Sequence, residues 1–161
     1  MMMYEMISAV EMPQRLAPLF EAYQKWLIDN EPELQIVLNG QGYDDELQHL
    51  QEKYAAPEGA IYILTADGED IGCIALRKID DVVCEVKRVF LQMDYRGKGL
   101  GKMMMEQVIA DARRAGYREM VLDTLPIMTG ACGLYDRMGF LPTEKYNDNP
   151  LPYAIYRKLA L

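Results

Sequence analysis

"DYRGKGLGKMMM", residues 94–105, is the stretch on which the reading of this 161-residue chain turns. Gly97, Gly99 and Gly101 alternate with Lys98, Leu100 and Lys102, and Arg96 stands just before them. "CEVKRVFLQ" precedes the stretch with strand character, and "GKMMMEQVIADARRAG" continues it with apolar residues at helical spacing. Glycine is the most costly residue in a helix after proline. Three of them at the mouth of a helix indicate that something negative approaches the backbone closely there.

Three motifs compete for these letters. A dinucleotide fingerprint needs G-x-G-x-x-G after a first strand and an acid about 20 residues on. Here the third glycine comes one residue early, and the loop lies past mid-chain. A P-loop needs G-x-x-x-x-G-K-[ST]. Arg96 stands where its first glycine belongs, and Met103 where its hydroxyl belongs. The third motif, R-x-x-G-x-G between a strand and a helix, fits Arg96, Gly99 and Gly101. Free amides at the helix start and the helix dipole would hold a pyrophosphate. Arg96, Lys98 and Lys102 would add charge, so no metal is required. A tight glycine turn with no ligand satisfies the same letters.

Outward from the loop the chain reads as one domain, residues 1–161, without repeats, low-complexity segments or a linker. Upstream, "AIYILTA" and "DIGCIALRKI" flank the hairpin turn "DGED", and "DVVCEVKRVFLQ" follows across Asp80-Asp81. Before them, Leu16, Leu19, Phe20, Tyr23, Trp26 and Leu27 recur at helical spacing behind Pro13. Pro18 predicts a late start or a kink in that helix. "LNGQGYDD" reads as a loop and "DDELQHLQEKY" as one short helix. Downstream come a helix capped by Gly116, the strand "YREMVLDTL", the helix "MTGACGLYDRMG" and the strand "AIYRKLAL". The order predicts an α+β fold around one mixed sheet.

Composition narrows the classes. No apolar run approaches the roughly 20 residues of a membrane span, and the N-terminus lacks the pattern of a signal peptide. Cys73, Cys84 and Cys132 are an odd, widely spaced set, read as packing residues in a reducing cytoplasm. With His49 the single histidine, no metal site is expected. Residues 1–80 carry 5 Lys and Arg against 15 Asp and Glu, whereas residues 81–161 carry 12 against 10. An acidic chain is a poor general binder of nucleic acid. The split suits an anionic ligand at the loop and a cationic one near the first half. A solvated acidic surface explains it equally.

The loop has company. "ACGLYDRMGF" places Tyr135 on a helix with Gly139-Phe140 beyond it, and Glu85 lies eleven residues before Arg96. With "RVFLQMDYRGKGLGKMMMEQVIADARRAGY", this combination resembles the GNAT superfamily of acyl-CoA-dependent N-acyltransferases over residues 60–159. "CEVKRVFL", "VLDTL" and "NDNPLP" further resemble a bacterial branch of small-molecule acetyltransferases.

The resemblance implies a mostly antiparallel sheet with splayed strands and helices on both faces. Acetyl-CoA as donor would enter between "KRVFL" and "VLDTL", extending the strand edge. The main chain of Val89, Phe90 and Leu91 would face its pantetheine arm, with the Val89 amide on the thioester carbonyl. Arg96, Gly97, Lys98, Gly99, Leu100, Gly101 and Lys102 would hold the pyrophosphate. Tyr135 would protonate the leaving thiolate, and Glu85 would serve as general base or as an ion-pair partner of Lys87 or Arg77. Arg77 and Lys87 could hold a substrate carboxylate, and Asp123 is a further candidate at the acceptor. The implied reaction is direct acetyl transfer to the primary amine of a small molecule. A non-catalytic acyl-CoA sensor of the same fold is the alternative. Members of the superfamily often form dimers, which leaves a homodimer open. No motif identifies the acceptor.

Overall fold

The computed structural model describes residues 1–35 and 43–161; most of the expected loop "LNGQGYDD" lies outside the described residues. The elements are β1 (Tyr4–Ser8), α1 (Pro13–Asn30), α2 (Tyr43–Gln48), α3 (Leu50–Tyr54), β2 (Ala60–Ala66), β3 (Glu69–Lys78), β4 (Val83–Leu91), a 3-10 turn (Met93–Tyr95), α4 (Leu100–Ala115), β5 (Glu119–Thr124), α5 (Thr129–Arg137), β6 (Leu141–Pro142) and β7 (Ile155–Ala160). The strands form a seven-stranded sheet in the order β1-β2-β3-β4-β5-β7-β6. Every neighbouring pair is antiparallel except β4 with β5, which is parallel. Helices cover both faces, as expected.

Local chemistry explains the boundaries. Asp67 and Gly68 take positive φ in the β2–β3 hairpin, the geometry that a two-residue turn between twisted strands demands. Asp80 accepts the amides of Val82 and Val83 and so closes the β3–β4 turn. Helix α1 starts at Pro13, with no late start; Pro18 sits on its exposed side. The stretch "DDELQHLQEKY" is two helices broken at His49, where one had been expected.

The pleat sorts side chains between two layers. Leu64, Ile74, Cys84, Val86, Met120 and Leu122 pack with Leu100, Met104, Met105 and Val108 of α4 and with Tyr135 of α5. Ile61, Ile63, Cys73, Ala75 and Phe90 pack on the other face against Leu16, Leu19 and Phe20 of α1 and Leu50 and Tyr54 of α3.

Two irregularities interrupt the sheet's centre. The β3–β4 register slips between Cys73–Phe90 and Ala75–Lys87, so one strand carries an extra residue there. Arg88 takes φ 58°, a conformation that costs a non-glycine residue roughly 1–3 kcal/mol. The slip shifts the alternation. Val86 faces α4, but Phe90, four residues on, faces α1. The second irregularity is the β4–β5 ladder, which pairs only Val83, Cys84 and Glu85 with Glu119, Met120 and Val121. Beyond Glu85 the strands diverge.

A buried ion pair holds the kink. Glu46, on α2 and 3 % exposed, accepts Arg88 Nε at 2.6 Å and Nη2 at 3.0 Å. It also accepts Lys53 at 2.9 Å and the Tyr54 hydroxyl at 3.0 Å. Burial pushes its carboxyl up, but Arg88 and Lys53 outweigh burial and hold it at about 2.

Glu46→Ala should therefore cost roughly 3–5 kcal/mol, because it leaves Arg88 buried without its carboxylate. For a chain of this size, a melting temperature lower by on the order of 10 °C is expected. The folded-state pKa of Glu46 is depressed, so its contribution is full above the unfolded value near 4.5 and disappears as pH falls towards 2. Melts taken from pH 6 to pH 2 should show a shallower decline in the variant than in the parent; parallel declines would reject the assignment.

Candidate active site

The glycine loop takes the conformation that its composition suggested. Gly97 has φ 78° and Gly99 φ 81°, the left-handed region that favours glycine, and a Cβ on either would meet nothing within 4 Å. Gly99 caps α4, no side chain caps the helix, and its first turn carries no acid. The helix thus presents amides and the positive dipole end to open space. Lys98 and Lys102 are exposed there, with Lys98 5.6 Å from the centre of the Tyr95 ring. Arg96 is the exception among the expected phosphate ligands. Its Nε donates to the Leu91 carbonyl at 2.8 Å and its guanidinium lies 4.8 Å from the Trp26 ring of α1. These residues fit a diphosphate-bearing ligand, and the site needs no side chain to move out of the way.

A cleft of about 400 Å³ occupies the divergence of β4 and β5. Val86 through Val89 form one wall, Leu122 through Leu125 the other, and Tyr135 and residues 147–151 complete it. Four expected site residues therefore meet in one cleft: Lys87, Val89, Asp123 and Tyr135. Tyr135 is buried against Phe140, yet its hydroxyl has no hydrogen-bond partner among the described residues. Burial and the nearby Cys132 and Asp123 push that phenol up, so at neutral pH it is a proton donor. Phe90 takes its side chain away from the cleft and stacks on Tyr23 at 5.7 Å; only its main chain remains on the expected strand.

Glu85 and Arg77 do not line this cleft. Glu85 is 0 % exposed. Its Oε1 accepts Arg77 Nε at 2.6 Å and its Oε2 accepts the Tyr146 hydroxyl at 2.6 Å. Of the two pairings expected for Glu85, the one with Arg77 forms. Lys87 makes no hydrogen bond or ion pair with the described residues. Burial lowers its pKa, although the nearby charges of Glu85 and Asp123 act in the other direction.

Sequence reasoning singled out "NDNPLP" but gave its residues no role. Tyr146 reaches Glu85, while Asn147 Nδ2 and Asn149 Nδ2 donate to Asp123 Oδ2 at 2.8 and 3.1 Å. Asn147 and Asn149 also accept the amides of Asn149 and Leu151, which sets the local turns. "NDNP" carries that turn signal; nothing in it announces a partner 24 residues away. Glu46 and Arg88 were missed too, having no local signal at all. Among the described residues no His, Cys, Asp and Glu cluster could hold a metal, and no helix is long and apolar enough to cross a membrane.

Comparison with known proteins agrees with this geometry. The family model for the Acetyltransferase (GNAT) family matches residues 8–140. An uncharacterized N-acetyltransferase of Schizosaccharomyces pombe is 34% identical over 157 residues, 96% of this chain and 94% of that protein. An acetyltransferase from Streptococcus agalactiae superposes with TM-score 0.78 at 22% identity, over 98% of both chains. The PaiA N-acetyltransferase from Thermoplasma acidophilum, solved in complex with coenzyme A, gives TM-score 0.77 at 16% identity over 100% of this chain and 99% of its own.

The Glu85 network makes a stability prediction. Arg77→Leu strands a buried carboxylate and should cost roughly 3–5 kcal/mol. Tyr146→Phe removes one hydrogen bond to a charged group and should cost roughly 1.5–3 kcal/mol. Urea midpoints at unchanged slope test the order; Tyr146→Phe proving the costlier change would contradict it.

Proposed function

The chain belongs to the GNAT acetyltransferase family, and from that premise we propose that it transfers an acetyl group from acetyl-CoA directly to the primary amine of a small, amino-acid-like molecule. The observation that carries the proposal is the two-sided cleft. Val89 and Tyr135 belong to the layer of α4 and α5, whereas Lys87 and Asp123 alternate onto the face of α1. Donor and acceptor can therefore approach the split from opposite faces of the sheet.

Acetyl-CoA supplies an activated acyl group when bound. The loop of Gly97, Lys98, Gly99, Leu100, Gly101 and Lys102 would hold its diphosphate through amides and lysines, and Leu91 and Val89 would line its arm. The Val89 amide is the candidate for the acyl oxygen, where negative charge develops. The Tyr135 hydroxyl is the candidate donor to the departing sulfur. Lys87, desolvated and unpaired, is the candidate for a carboxylate on the acceptor. Arg77 is withdrawn from that role in favour of Glu85. The bacterial small-molecule branch rests on the sequence stretches alone. The setting consistent with three unpaired cysteines is a reducing cytoplasm.

Coenzyme A at about a hundred times its Kd should stabilise the protein by roughly 2.7 kcal/mol without added metal, a rise of about 5–10 °C in melting temperature. Lys98→Ala/Lys102→Ala should weaken that shift and leave the unliganded melt in place. With an amine panel, thiol release from acetyl-CoA should track acetylated product by mass. Tyr135→Phe should lower kcat about a hundredfold and leave coenzyme A affinity unchanged. Binding without thiol release for any amine would favour the sensor reading.

A further inference from the structure

Two carboxylates stand near the split, and their surroundings differ. Glu85 lies on the last rung of the β4–β5 ladder, opposite Val121. Asp123 and Lys87 are each two residues further on, beyond the last paired rung. Being two residues past a paired rung, they share a face and stand opposite each other across the opening. Both line the cleft. No ion pair joins them, so the opening separates a cation from an anion with space between.

Glu85 has spent both oxygens on Arg77 and Tyr146 and has no exposed surface. Asp123 is half-buried, and only one of its oxygens is engaged. Asn147 and Asn149 both donate to Oδ2, and no donor among the described residues reaches Oδ1. Two amides on one oxygen fix the plane of the carboxylate and leave the other oxygen available to a ligand. The groups facing Asp123 are Lys87 from β4, Tyr135 from α5, Tyr146 and the two asparagines from the segment before β7, and Tyr156, its partner on β7. The Tyr156 hydroxyl is buried without a hydrogen-bond partner among the described residues, so none of its bonds there goes to the carboxylate.

We propose that Asp123, and not Glu85, is the carboxylate that accepts the proton of the acceptor amine, with Asn147 and Asn149 as the residues that position it. This rests on the acetyltransferase reading above. The acceptor ammonium breaks one N–H bond as an O–H bond forms on Asp123 Oδ1, which frees the nitrogen lone pair. That pair forms the C–N bond to the acyl carbon, and the C–S pair leaves with sulfur, which takes the Tyr135 proton. The nitrogen loses its second proton as the amide forms, and this proton restores Tyr135 through solvent. Ammonium and thioester thus give amide, thiol and one proton released from Asp123. Lys87 opposite holds the acceptor's carboxylate and so sets the amine against Asp123.

The test is the pH dependence of kcat for acetyl transfer from acetyl-CoA to the best amino acid of the panel. Asp123→Asn keeps an oxygen for the asparagine donors. It should lower kcat about a hundredfold at pH 7, a loss that shrinks about tenfold per pH unit as free amine becomes abundant. Asn147→Ala/Asn149→Ala should give the same pH-dependent loss, about tenfold at pH 7, and keeps Asp123 in place should Asp123→Asn fold poorly. Glu85→Gln should leave the shape of the profile unchanged. A pH-dependent loss in Glu85→Gln, or an unchanged profile in both the Asp123 and the asparagine variants, overturns the proposal. A parent protein that acetylates no amine at any pH fails the acetyltransferase reading itself, which separates the two failures.

Discussion

Arg88 in a left-handed conformation, held by the buried carboxylate of Glu46, is the constraint on which the rest of the molecule depends. A central strand ordinarily pairs along both edges for its whole length. Here β4 pairs with β5 for three residues only, and the kink falls three residues after the last rung. A bulge strengthens the local twist and bends its strand. The strain of roughly 1–3 kcal/mol is offset by a two-point ion pair that would be costly to break. The helical pair α2 and α3 contributes Glu46, Lys53 and Tyr54 to this single network. Those short helices therefore act as an anchor for the strand that opens the sheet.

The kink has a second consequence. By shifting the alternation, it turns Phe90 towards α1 and leaves Val89 with the α4 layer. Phe90 then stacks on Tyr23, and Arg88 lies 5.7 Å from the Phe20 ring, so α1 is tied to β4 at the kink and two residues beyond it. Arg96 adds a third tie through Trp26. The glycine loop and the α1 side of the cleft are consequently registered to one helix. Charge follows the same division. The open end of α4 presents amides and lysines, while several acids of the first half are already committed: Glu46 to Arg88, Asp70 to Arg15 and Glu58 to Lys78. Of these pairs only Glu46–Arg88 draws its cation from the second half; the other two lie within residues 1–80 and leave the excess of acids there in place.

What the sequence made legible was whatever has a local physical cause. Alternation revealed the strands, helical spacing α1 and α4, and glycine at positive φ the hairpin, the loop and the end of α4. Tyr135 was singled out by the resemblance that "LYDRMGF" carries, and in the structure its ring is buried against Phe140 at the cleft. The features that stayed hidden are pairings between distant segments. An arginine at positive φ carries no compositional mark, and Glu46 stands 42 residues from the guanidinium that it holds. Tyr146 is 61 residues from Glu85.

Glu85 shows how far spacing alone carries an argument. Its distance from Arg96 placed it on the correct strand, and alternation placed it on the correct face with Lys87. Neither could say which of two acids, two residues apart in register, faces solvent and which faces protein donors. That distinction depends on where the β4–β5 ladder ends, because a carboxylate on a paired rung is enclosed by the sheet and one beyond it borders the gap. The ladder ends at Glu85, three residues before the kink at Arg88 that Glu46 of α2 holds. The surroundings of the two carboxylates at the split are therefore set by long-range pairings, which spacing along the chain does not reveal.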